Sequence, residues 1–135
     1  MTTRTTLGAG LTAALVVTAL GVLGAQAPAI KRTILQQLDL SAPGREAVMA
    51  AVEFPAGSET GRHTHPGEEI SFVEVGPFVL EVDGQPAKTL KTGEPFFVPA
   101  GVIHNGHPAA GGTAKVVATY VIEKGKPVTT PAPAK

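Results

Sequence analysis

The sequence has no cysteine and no tryptophan. The first absence excludes disulfides, thiolate catalysis and cysteine-based zinc modules. Any metal site must therefore be built from His, Asp and Glu. Aromatic residues are few, one Tyr and five Phe, which disfavours a stacking platform for single-stranded nucleic acid. Charge of either sign is also in short supply, with 11 Lys+Arg against 11 Asp+Glu in 135 residues. A nucleic-acid binder needs a basic excess concentrated on one face, and none is visible. The length suits one small domain.

What the sequence has instead is 16 Gly and 12 Pro, dense turn punctuation that fits many short strands better than long helices.

Residues 1–29 read as an address. Met1–Thr6 is polar, with Arg4 its only charge, and Leu7–Leu23 is an uncharged run of Leu, Ala, Val, Gly and Thr. Small residues follow around Ala27-Pro28-Ala29, the layout of a secretory signal peptide. Cleavage is expected after Ala29 or Ala27; Pro28 beside the second bond favours Ala29. The rival reading is an uncleaved anchor, but the run is at the lower length limit for a membrane span. No twin-Arg pair precedes it, so Sec-type export to the periplasm or medium is expected, with no stable span after cleavage. Removing residues 1–29 takes away only Arg4 and leaves one net negative charge.

The rest reads as strands and turns. Expected strands are Thr33–Leu40, Ala47–Phe54, Ile70–Val75, Phe78–Val82, Lys88–Leu90, Pro95–Val98 and Ala114–Ile122. Asp83-Gly84 is a hairpin signal between two of them. Residues 30–44 form an N-terminal strand or arm, 45–122 a barrel or sandwich, and 123–135 a flexible Pro- and Lys-rich tail.

Two clusters carry chemistry. In the first, His63 and His65 are two apart, so an extended strand places both imidazoles on one face. Pro66-Gly67 turns the chain and brings Glu69 within reach. In the second, Pro99 and Gly101 shape a tight turn just before His104. Three imidazoles and one carboxylate suit Fe, Mn, Ni, Cu or Zn rather than calcium. Glu68 rivals Glu69 and His107 rivals His104, but the spacing indexes Glu69 and His104.

These residues resemble the cupins. One cupin motif runs Gly, five residues, His-x-His, three or four residues, Glu, six residues, Gly. Gly57, His63, His65, Glu69 and Gly76 fill it. The other runs Gly, five residues, Pro-x-Gly, two residues, His, three residues, Asn. Gly93, Pro99, Gly101 and His104 match, while Pro108 stands where the motif has Asn. Nine of ten fixed positions are thus present, over residues 45–122.

The resemblance implies an all-β antiparallel jelly-roll barrel. It also implies one divalent transition metal on His63, His65, Glu69 and His104, with open positions for a small-molecule ligand or substrate. Three functions fit. A metal-dependent enzyme acting on a small oxygen-rich molecule, with dioxygenase-like oxidoreductase chemistry, is favoured. A non-catalytic metal- or ligand-binding module of the cell envelope is the alternative, and a metal-stabilised structural barrel is the third. Acid–base groups are sparse: Glu53, Glu59, His107 and Tyr120 are the weak catalytic candidates. Thr33–Leu40 is a candidate edge for a homodimer.

Overall fold

The computed structural model describes residues 26–135. The apolar run Leu7–Leu23 and Arg4 lie outside the described residues. Among the described residues there is no helix, and ten strands follow one another. They are β1 (Lys31–Asp39), β2 (Arg45–Phe54), β3 (His63–Thr64), β4 (Gly67–Val75), β5 (Phe78–Val82), β6 (Lys88–Leu90), β7 (Pro95–Val98), β8 (His104–Pro108), β9 (Ala114–Glu123) and β10 (Thr130–Pro131).

All pairings are antiparallel and fall in two five-stranded sheets. One has the order β1-β2-β9-β4-β7, the other β10-β3-β8-β5-β6. Consecutive strands cross between sheets, as in a jelly roll. β9 alternates strictly, with Ala114, Val116, Ala118, Tyr120 and Ile122 buried and their neighbours half-buried. β2 answers with Val48, Ala50, Val52 and Phe54 across a ten-residue register. Phe78, Leu80, Leu90, Phe96 and Val98 close the core from the other side. Each large side chain fully buried there contributes about 1.5–3 kcal/mol.

Phe78–Val82, Lys88–Leu90 and Pro95–Val98 lie where the sequence places them. β4 begins three residues earlier than expected, at Gly67, because Gly67–Glu69 pair with Tyr120–Ile122 of β9. β3 and β8 are not legible in the sequence. The segment HNGHP has poor strand propensity, and its pairing with all of β5 makes it a strand. The arm at residues 30–44 is not separate from the barrel: β1 lies against β2 from Lys31 to Asp39. Nor does the Pro- and Lys-rich tail hang free, since Thr130–Pro131 pair with Thr64–His63.

Candidate metal centre

Local sequence explains how the ligands meet. β3 holds His63 and pairs it directly with His104 of β8. Gly101, at φ 72°, turns the chain after Pro99, and its N–H donates to the His65 carbonyl at 3.0 Å. That bond ties the second motif to the first. Gly67 then lets β4 start flush against β9. A side chain there would collide with the Val121 carbonyl, so only glycine allows Glu69 to follow His65 this closely.

One candidate ring nitrogen from each of His63, His65 and His104 lies within 4.8 Å of the others, and all three residues are buried. The ring centroids of His63 and His104 are 4.2 Å apart. Each Nδ1 faces a backbone carbonyl: His63 that of Gly61 at 2.8 Å, His65 that of Val128 at 2.6 Å, His104 that of Val102 at 2.9 Å. A carbonyl only accepts, so each Nδ1 carries the proton and donates. Each Nε2 is then left with a lone pair, the tautomer a metal ligand needs.

Glu69 completes the set. Its Oε2 lies 3.0 Å from His65 Nε2 and 3.3 Å from His104 Nε2. Its carboxyl lies below the ordinary carboxylate range: burial pushes it up, while hydrogen bonds from His104, His65 and Ser71 pull it down, those of the imidazoles requiring an added proton at Nε2. Ser71 Oγ donates to Glu69 Oε1 at 2.7 Å, leaving Oε2 for the imidazoles. Burial also drives the His63 imidazole down to about 4, with the like charges of His104 and His65 adding to it. His63 is thus neutral near pH 7. The result is a buried carboxylate oxygen against nitrogens whose lone pairs point the same way, and His104 Nε2 has no hydrogen-bond partner. Only a cation or an added proton relieves that arrangement. The four residues therefore fit a divalent transition metal.

A cavity of about 30 Å3 opens beside His63, Glu69 and His104. That is room for about one or two waters. Its walls are mostly apolar, including Phe54, Phe78, Leu80 and Phe96, with Thr60, Tyr120 and Arg32 as the other polar groups. The Tyr120 ring stands 4.6 Å from that of His65. Burial, then the Glu69 charge, pushes the Tyr120 hydroxyl well above its ordinary value, so it stays protonated.

The weaker candidates separate. Tyr120 reaches the cavity. Glu53 does not: it pairs with Lys31 at 3.2 Å. His107 lies 4.0 Å from Glu81, away from the cavity walls, and Glu59 accepts from Asn105 Nδ2 at 2.8 Å. Arg62 forms a two-pronged pair with Asp83 at 2.6 and 2.7 Å. Sequence reasoning missed Ser71, the Val128 carbonyl and Arg32. Ser71 shares the alternation of Glu69 along β4, a signal that was available. Arg32 lies on a strand exposed on both faces, and no pattern marks its side.

An all-β barrel of two antiparallel sheets, with three histidines and a glutamate converging at an inner cavity, defines a jelly roll with a side-chain cluster that could hold a metal ion. The sequence profile of the cupin domain matches residues 50–126, and the chain belongs to that family. Among solved structures, a cupin superfamily protein from Desulfitobacterium hafniense DCB-2 is similar at 20% identity and TM-score 0.61, over 75% of this chain and 84% of that one. A conserved protein with a double-stranded β-helix domain from Klebsiella pneumoniae is similar at 15% identity and TM-score 0.63, over 78% and 85%. An oxalate oxidase in complex with the substrate analogue glycolate is similar at 23% identity and TM-score 0.54, over 62% of this chain and 45% of that one. At these identities the likeness establishes the fold. No curated protein matches the chain.

Proposed function

We propose that this cupin holds one divalent transition metal on His63, His65, Glu69 and His104 and acts on a small, oxygen-rich molecule. The observation that carries the reading is the set of three Nδ1–carbonyl bonds, which turn three Nε2 lone pairs and the Glu69 carboxylate toward one another. A metal bound there supplies Lewis acidity or redox chemistry. The chain itself supplies a narrow, mostly apolar cavity. It offers little general acid–base capacity: Tyr120 and Thr60 are hydroxyls, and no unassigned carboxylate or imidazole lines the cavity. Chemistry centred on the metal, of the dioxygenase kind, therefore suits the site better than proton shuttling.

The same scarcity supports a second reading, a cell-envelope protein that binds a metal or a small ligand without turnover. The apolar run at Leu7–Leu23 supports export, and the exposed edge of β1 supports a homodimer. Elemental analysis of the purified protein, with His63→Ala and His104→Ala as controls, tests the metal. About one metal per chain in the parent, lost in both variants, is expected. Turnover of catechols, flavonols, diketones or oxalate then separates enzyme from binder.

A further inference from the structure

The sheet β1-β2-β9-β4-β7 packs its inner side on the core, and among the described residues there is no helix to cover its outer side. The register shows what lies on that outer face. One row across the five strands runs Gln36, Met49, Thr119, Ile70, Phe97. The next runs Thr33, Ala51, Val117, Phe72, Pro95. Neither row carries a charge. Ile70, Phe72 and Phe97 are 55%, 43% and 56% exposed.

Charge returns toward the strand ends. Lys31, Glu53 and Lys115 form a row at one end and Arg45 pairs with Glu123 at the other, while Glu68 closes the row of Leu38, Ala47 and Val121. Much of this charge is matched within the chain, with Lys31 3.2 Å from Glu53 and Lys115 3.0 Å from Glu74. An uncharged centre with exposed aromatic side chains inside a polar rim is the composition of a protein interface.

Size and shape select the occupant. Five strands span about 24 Å across, and the ten residues of β2 or β9 extend about 34 Å along. The other strands are shorter, so the face offers roughly 700 Å2. Stable interfaces bury about 800 Å2 a side. The balanced rim offers no net sign to a nucleic acid or a strongly charged peptide. A second copy fits better. It brings a sheet of the same right-handed twist, and two such sheets stack face to face within about 30° of each other.

We propose that two copies of this chain pair through these outer faces, with Ile70, Phe72 and Phe97 at the centre of the contact. The inference rests on the homodimer proposed above and names its surface. The β1 edge is the poorer one, because its register breaks between Ile34 and Gln36 and such irregularities hinder strand addition. Pairing through the face also leaves the cavity free. Glu69 and Tyr120 alternate with the outer residues of the same strands, so the candidate metal centre lies on the opposite side of the sheet from the contact.

The test is sedimentation velocity with native mass spectrometry on the chain recovered from an exporting host, plus a flotation assay with phosphatidylcholine vesicles. A dimer with a micromolar or tighter dissociation constant is expected, without flotation. Phe97→Lys and Ile70→Lys should each raise that constant about 30-fold or more, as loss of a central anchor does. Both side chains point away from the core, so far-UV spectra should match the parent. Leu35→Lys, on the β1 edge, should leave the dimer intact. A dimer lost in Leu35→Lys and kept in the other two variants overturns this inference and leaves the homodimer standing. A parent that stays monomeric overturns both, and its flotation with the vesicles would assign the face to a membrane surface.

Discussion

Replacing Gly67 with Ala perturbs the site without removing any ligand. Gly67 lies between His65 and Glu69, and its Cα pairs with that of Ile122. A methyl there would overlap the Val121 carbonyl oxygen and come within 2.7 Å of Ile122 Cα and 2.8 Å of the Val121 carbonyl carbon. All three atoms are backbone of β9, so no side chain can swing away. The strands must separate, and overpacking of this kind costs about 3 kcal/mol or more. For a domain of this size that is about 15 °C in melting temperature. Because Glu69 pairs with Tyr120 two residues on, zinc affinity should fall with stability. Gly101→Ala is the control. Its φ is 72° but its surroundings are open, so only backbone strain of about 1 kcal/mol is added. The two variants and the parent would be compared by thermal melts and zinc titration. A Gly67→Ala shift under about 3 °C, or one equal to that of Gly101→Ala, would refute the claim that close approach to β9 sets the ligand spacing.

Other expectations follow from the same geometry. His63 titrates near 4 in the folded protein but at its ordinary 6.5 when unfolded, so the unfolded chain takes up the proton first. Metal-free stability should hold above pH 6.5 and fall by about 3 kcal/mol as pH drops through 4, read from urea midpoints; a flat profile would show that His63 does not stay neutral in the fold. Ending the chain after Lys126 removes the Val128 carbonyl and β10, and zinc affinity should drop about 10–100-fold by competition with a chelator dye. Ser71→Ala frees Glu69 Oε1 from its one donor, and a several-fold smaller loss of affinity is expected, with full-strength binding as the contrary result. Chelator should lower the melting temperature of metal-loaded protein and leave His63→Ala unmoved.

The long strands and the clustering of His63, His65, Glu69 and His104 were legible because each rests on local signals. Alternation marks β9, and the turn residues Pro66, Gly67, Pro99 and Gly101 index the ligands. What was hidden depends on partners distant in sequence. β3 is two residues long and exists only through His104 and Pro131. The tail has the composition of a loose end, yet its carbonyl at Val128 orients His65. Asn105, one residue from a ligand, is buried by bonds to Thr60, Glu59 and Glu81 that no spacing rule foretells. Pro108 fits its place because β8 ends there, and the next N–H, from Ala109, donates to the Pro77 carbonyl.

The His65–Val128 hydrogen bond joins residues 63 apart in sequence. His63 and His104 likewise meet only where β3 pairs with β8. The seven-residue segment from His63 to Glu69 carries three of the four candidate ligands, but His104 joins them only once β3 pairs with β8. The binding energy of a metal on the full set accrues to the global transition rather than to a local turn. In hydrogen exchange, metal should slow the core amides of β2 and β9 as much as those beside the histidines. The complete four-residue set would then report complete folding, since it exists only while the whole barrel is intact.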